Sequence, residues 1–163
     1  MPESPPEAPP QHPGVHYPPP ILFVAGFFLG TFLERRWPTT VHPEALRPVA
    51  VVVAWGLVAV STALVLWAGA TFARHRTAVY PNLPARRLVT GGPYRYSRNP
   101  MYVGLTVLYL AGVLWLDTLW PLLLLPLVLA LLQRAVIRRE ERYLAAAFGD
   151  DYREFRRSVP RWL

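Results

Sequence analysis

The chain has 163 residues, enough for one domain, and carries 53% hydrophobic residues, 17% charged residues and a net charge of +7. Soluble globular domains hold roughly 45–50% apolar and about 25% charged residues, so this chain is too apolar and too sparsely charged to read as an ordinary soluble domain. It has no cysteine, which excludes disulfides, thiolate catalysis and zinc–cysteine sites.

All 17 basic residues are arginine. They flank apolar runs, the arrangement that orients membrane proteins, and this points to a membrane partner and away from nucleic acid. Residues 1–20 contain nine prolines and few apolar side chains, ending in Pro18-Pro19-Pro20. Such a tail cannot bury enough surface to offset its ordering entropy and is expected to be disordered or extended. It lacks the basic start of a secretory signal, so cleavage is not expected. The domain proper is read as residues 21–163.

Ile21 to Leu33 is the first apolar block, 13 residues long. As a helix it reaches about 20 Å, short of the roughly 30 Å hydrocarbon core. Tyr17 and Trp37 bracket it at interface positions, which favours a span. Glu34 to Pro48 reads as a polar loop and Val49 to Ala73 as a spanning helix of 25 residues. Met101 to Leu116 and Thr118 to Leu132 form third and fourth apolar blocks, separated by Asp117 alone. That pattern predicts a tight helical hairpin whose turn reaches the far interface, with Pro121 and Pro126 bending the fourth helix.

Arginine counts then set the topology. Residues 74–98 hold six, the tail after residue 132 holds eight, the first loop three and the Asp117 turn none. With four spans, the N-terminus, the connector and the C-terminal tail lie in the cytoplasm. The fourth helix is expected to run outward past Glu140 and Glu141 to a cap at Gly149. Tyr152, Phe155 and Val159, at helical spacing among arginines, then predict a short amphipathic helix lying on an anionic leaflet. The fold class is therefore all-α, an integral membrane bundle of about four helices with a cytoplasmic helical tail.

Three groups of residues can carry chemistry. Glu140 and Glu141 follow Arg134 and Arg138 along a helix, so surface ion pairing and a role in a shared pocket are both open. Arg98 and Asn99 precede Pro100, which suits the first turn of the third helix. Asn99 either caps that helix, or the open helix end and the Arg98 fork together receive an anion. Tyr94, Tyr96 and Tyr102 are interface tyrosines, two of which flank Arg98. His75 reads as a solvated flank and Asp117 as a turn former. Together the groups suit a small molecule with a carboxylate, an ammonium and an aromatic base. No phosphate loop, zinc-protease helix motif or nucleophile elbow is present, and no metal site is expected.

Three stretches carry a resemblance: Thr77-Ala78-Val79-Tyr80-Pro81, the run from Leu88 through Gly91-Gly92-Pro93-Tyr94-Arg95-Tyr96-Ser97-Arg98-Asn99-Pro100-Met101-Tyr102-Val103-Gly104, and Glu140-Glu141-Arg142-Tyr143-Leu144 followed by Phe148-Gly149-Asp150-Asp151-Tyr152. From about residue 50 onward the chain resembles the bacterial branch of the isoprenylcysteine carboxyl methyltransferase family and is similar to phospholipid methyltransferases. The resemblance implies an integral membrane enzyme of the bacterial inner membrane that uses S-adenosyl-L-methionine, a molecule with the three groups named above. It implies that Arg98 and Glu141 are the catalytic pair. Leu88, Val89, Tyr94, Arg98, Asn99, Pro100, Tyr102, Glu140 and Glu141 would form the cofactor site, with Tyr102 and Gly104 shaping the entrance for a lipophilic or lipid acceptor. The reaction would be in-line displacement at the sulfonium methyl, accelerated mainly by orientation. Asn99 stands where eukaryotic prenylcysteine enzymes have histidine, and no Gly-X-Gly signature precedes the motif, so the acceptor is open among carboxylate, amine and thiol. An NADPH-dependent membrane reductase of the sterol-reductase type and a non-enzymatic small membrane protein are the alternatives. The sequence assigns no oligomeric state.

Overall fold

The computed structural model describes residues 18–75 and 87–163. Tyr17, most of the Pro-rich tail, and the stretch containing Arg76, Thr77–Pro81 and Arg86 lie outside them. Among the described residues the chain is helical throughout, with no strand. Helix α1 runs Pro20–Arg36, α2 Arg47–Arg74, α3 Pro100–Leu116, α4 Leu119–Leu132 and α5 Arg138–Ser158. Short 3-10 turns precede α2 and α3, at Glu44–Leu46 and Gly92–Arg95. A wide π turn, Gln133–Ile137, joins α4 to α5.

Two of these helices are long and apolar enough to cross a membrane: the α2 segment, Glu44–Arg74, and the continuous α4–α5 segment, Leu119–Ser158. Helix α3 is shorter and apolar. Helix α1 begins at Pro20, at the edge of the expected tail, and extends to 17 residues, about 25 Å. The turn at Asp117 is as tight as expected, but α3 packs chiefly on α2 and α4 chiefly on α1. The two helices thus diverge from the turn, each onto a different partner.

Small residues permit these approaches. A side chain at Gly30 of α1 would meet the Pro121 ring and backbone of α4 at 2.6 Å. Ser61 of α2 donates to the Gly104 carbonyl of α3 at 2.7 Å, and a Cβ on Gly104 would meet Val65 at 2.7 Å. Gly104 is therefore a close-packing residue between α2 and α3. Phe23, Tyr109, Val113, Leu125, Val128, Leu132, Val136 and Ile137 form the central core. Pro121 falls in the first turn of α4, leaving only Pro126 in its interior.

At the Asp117 end, Asp117 adopts a left-handed conformation (φ 50°). Its Oδ1 accepts from the Val41 and His42 amides at 2.7 and 3.2 Å, so the residue also ties down the α1–α2 loop. The Val41 amide, joined by the His42 amide and opposed by burial, holds its carboxyl below the usual range. Glu34 accepts from Thr118 Oγ1 and Thr39 Oγ1, each at 2.6 Å, and from the Thr39 amide.

Candidate functional site

The opposite end of the bundle gathers the α3 start, the α5 helix and the last residues of the chain. The Gly92–Arg95 turn requires Gly92, whose φ is +59° and whose Cβ would meet Thr71 Oγ1 of α2 at 2.6 Å. The turn seats Tyr94 against Phe72, ring centroids 5.1 Å apart. Tyr94 and Val89 are buried in a second cluster with Ala68, Tyr152, Phe155 and Val159, and Leu88 packs against it.

This cluster overturns one expectation. The apolar face of the 151–159 segment, Tyr152, Phe155 and Val159, is buried against α2 and the 88–94 stretch rather than presented to a leaflet. The reorientation is set by Gly149 (φ 53°, ψ −120°), which does interrupt the helix as expected, but the helix resumes at once and folds back on the bundle.

Above the cluster lies an ion triad. Arg98 Nη1 donates to Glu141 Oε1 at 2.7 Å and lies 3.4 Å from the Tyr152 hydroxyl. Arg161 donates to both oxygens of the same carboxylate, Nε to Oε1 at 2.9 Å and Nη2 to Oε2 at 2.7 Å. The partners of Glu141 are thus Arg98 and Arg161, not the surface arginines Arg134 and Arg138. Burial raises the Glu141 carboxyl, but the Arg161 hydrogen bonds and the charges of Arg98 and Arg161 outweigh it and hold the group below its ordinary value. The same carboxylate raises Arg161.

Glu140 has a different environment. Its Oε1 accepts from the Tyr102 hydroxyl at 2.9 Å. Burial pushes its carboxyl up to about 7; the Tyr102 hydrogen bond opposes this and the neighbouring Glu141 charge adds to it. Burial, with the Glu140 charge, likewise raises the Tyr94 hydroxyl. Two adjacent carboxyls, about 100° apart around the helix, therefore differ in charge state near neutrality. The π turn just before α5 widens the helix and re-aims the residues that follow it; such turns recur at functional sites.

Asn99 occupies the N-cap position of α3 without a side-chain cap. Its Nδ2 donates instead to the Arg161 carbonyl at 2.9 Å, while its own amide donates to Ser97 Oγ at 3.1 Å. The capping expectation fails because the side chain is drawn to the C-terminal segment. Pro100 is fully buried in the first turn. Arg98, Asn99, Pro100, Tyr102, Glu140 and Glu141 are thus brought to one end of the bundle, with Tyr94, Val89 and Leu88 packed beneath. The sequence reading missed Arg161, Ser97 and the site role of Tyr152. Arg161 stood among the eight arginines counted toward a cytoplasmic tail, and only its place next to Pro160, just past the end of the helix, set it apart.

An all-helical protein with membrane-length helices and an Arg–Glu polar site at one helix mouth is the class these features define. The model of the phospholipid methyltransferase family matches residues 49–151, and the chain belongs to that family. It is 41% identical over 73 residues to the protein-S-isoprenylcysteine O-methyltransferase of Schizosaccharomyces pombe, covering 45% of this chain and 31% of that protein. It is 42% identical over 77 residues to the cobalt-zinc-cadmium resistance protein CzcN of Cupriavidus metallidurans, covering 45% of this chain and 33% of CzcN. An uncharacterized Haemophilus influenzae protein matches along its whole length at 38% identity over 63 residues. The chain thus matches about a third of the length of the two named relatives. No solved structure matches it.

Proposed function

We propose that this protein is an S-adenosyl-L-methionine-dependent methyltransferase acting on a lipophilic acceptor at the cytoplasmic membrane face. The observation that carries the reading is the pairing, in a member of this family, of an Arg98–Glu141 contact with a separate Tyr102–Glu140 contact at the mouth of α3. The residues fit the cofactor's charges. Arg98 and Arg161 against Glu141 leave a net +1, and the Arg98 Nε is buried with no partner among the described residues, which suits an incoming carboxylate. Glu140, whose Oε1 accepts from a tyrosine hydroxyl, suits an ammonium.

When bound, the cofactor supplies an electrophilic methyl group on a sulfonium. Arg98 and Asn99 then hold the polar end, Glu140 and Glu141 complete the site, and Leu88, Val89 and Tyr94 back the aromatic base. The chain's own contribution is orientation of an acceptor already concentrated in the bilayer. A carboxylate or thiolate acceptor needs no base, whereas an amine must arrive neutral.

Calorimetry on the detergent-purified protein tests this, with S-adenosyl-L-methionine, its demethylated product and NADPH as ligands. Micromolar binding of the first two and none of NADPH is the expected result. NADPH binding would move the chain to the reductase class. Silence with all three, in folded protein, would remove the enzymatic reading.

A further inference from the structure

The segment Val159-Pro160-Arg161-Trp162 is built as a strap across the site. Val159 is buried in the cluster beneath the site and Trp162 packs against the central core, so both ends of the strap are anchored in different apolar clusters. Between the anchors, Pro160 restricts the backbone and its carbonyl accepts from the Arg98 amide at 2.9 Å. The Arg161 carbonyl accepts from Ser97 Oγ at 3.3 Å and Asn99 Nδ2 at 2.9 Å. Three consecutive residues, Ser97, Arg98 and Asn99, therefore donate to two consecutive strap carbonyls. The Arg161 side chain meanwhile grips both oxygens of Glu141.

We propose that Arg161 is a positioning residue of the donor site, fixing Glu141 and, through Glu141, the Arg98 guanidinium toward the amino-acid end of the ligand. The strap lies beyond the matched family segment, which ends at residue 151. A single carboxylate shared by two guanidiniums is held in one rotamer, because a bidentate fork fixes its plane. With Arg161 replaced by glutamine the fork that fixes the Glu141 plane is lost, and the Arg98 guanidinium, whose Nη1 already donates to Oε1, is free to turn and fork that carboxylate with its Nε, the atom otherwise left for a ligand. The loss falls on the amino-acid end, because Val89 and Tyr94, beneath the aromatic base, are held by apolar packing in the cluster they share with Ala68, Tyr152 and Phe155.

The inference rests on the methyl-donor reading, and its test separates the two. S-adenosylhomocysteine and 5′-methylthioadenosine share the aromatic base and sulfur, but only the first has the amino-acid end. Binding of each is measured by calorimetry to the parent protein, Arg161→Gln and Arg161→Lys. Arg161→Gln should weaken S-adenosylhomocysteine at least tenfold while 5′-methylthioadenosine changes less than twofold, and Arg161→Lys should fall between. Unchanged S-adenosylhomocysteine affinity, or a parallel loss of both ligands, would overturn the positioning role. Should Arg161→Gln fail to fold, the same comparison on Arg161→Lys decides, because a one-pronged ammonium cannot reproduce the fork. A parent that binds neither ligand would instead sink the methyl-donor reading itself.

Discussion

Glu140 and Glu141 are neighbours in sequence with opposite responses to pH. The Glu140 carboxyl is lifted from an ordinary 4.5 to about 7, so the folded state holds a proton that the unfolded chain releases between those values. Its contribution to stability is full below about 4.5 and is lost as pH rises through about 7. The Glu140→Gln variant keeps an oxygen for the Tyr102 hydroxyl and cannot ionise. Its melting temperature in detergent should therefore exceed the parent's above pH 7, by at least about 2 °C, and match it near pH 4.5. Identical pH profiles for the two proteins would show that the Glu140 carboxyl is not lifted in the folded state. Glu141 behaves in reverse, its depressed carboxyl losing its contribution as pH falls. Removing it by Glu141→Ala leaves Arg98 and Arg161, with side chains 9% and 29% exposed, facing each other unpaired. The expected cost is about 3 kcal/mol, read as a drop of roughly 6–12 °C in a melt. The residues of this site were legible in sequence as types and order: arginine and asparagine before a helix-starting proline, then a glutamate pair. Their pairing was not, because helical spacing offered Arg134 and Arg138 as near partners while the true second partner, Arg161, reaches Glu141 only by the chain folding back.

That fold-back is a property of the elements. The apolar blocks of α1 to α4 were visible because each is a continuous run, and the observed helices overlap every one of them. What periodicity left open was the surface that an amphipathic segment faces: Tyr152, Phe155 and Val159 satisfy the pattern equally well against lipid or against α2. Gly149 decides between them, since its φ of 53° and ψ of −120° turn the segment inward. An L side chain there is strained whatever the space around it. Gly149→Ala should cost about 1–3 kcal/mol and release the 152–159 face, raising its hydrogen exchange while leaving α2 protected. Gly56→Ala is the internal control. Gly56 lies within α2, and its Cβ would meet nothing within 4 Å, so the substitution should leave stability unchanged or raise it by up to about 1 kcal/mol. Equal destabilisation by both substitutions would mean that the Gly149 kink is not what seats the segment.

The whole molecule separates two polar ends by an apolar middle. One end holds the Arg98–Glu141–Arg161 triad. The other holds Glu34, His42 and Asp117, rimmed by Trp37 and Trp120, whose rings lie 6.1 Å apart. Aromatic residues of this kind favour the headgroup level. Between the ends, large apolar side chains such as Phe28, Phe32, Val52, Leu66, Leu123 and Leu127 face outward, as expected of surface in contact with lipid. Most of the arginines among the described residues lie at the triad end, and the positive-inside rule therefore predicts a cytoplasmic side for that end. The absence of cysteine makes the arrangement directly testable, since any thiol introduced is the single one in the chain. Tyr96→Cys and Glu154→Cys place it on exposed residues of the triad end, and Thr40→Cys on an exposed residue of the other. In intact bacterial cells a membrane-impermeant maleimide should label Thr40→Cys and spare the other two, and all three should react once the inner membrane is opened. Labelling of Glu154→Cys before lysis would invert the molecule. Labelling of none before lysis would mean that the Asp117 end does not cross, and that the shorter helices α1 and α3 lie within one leaflet.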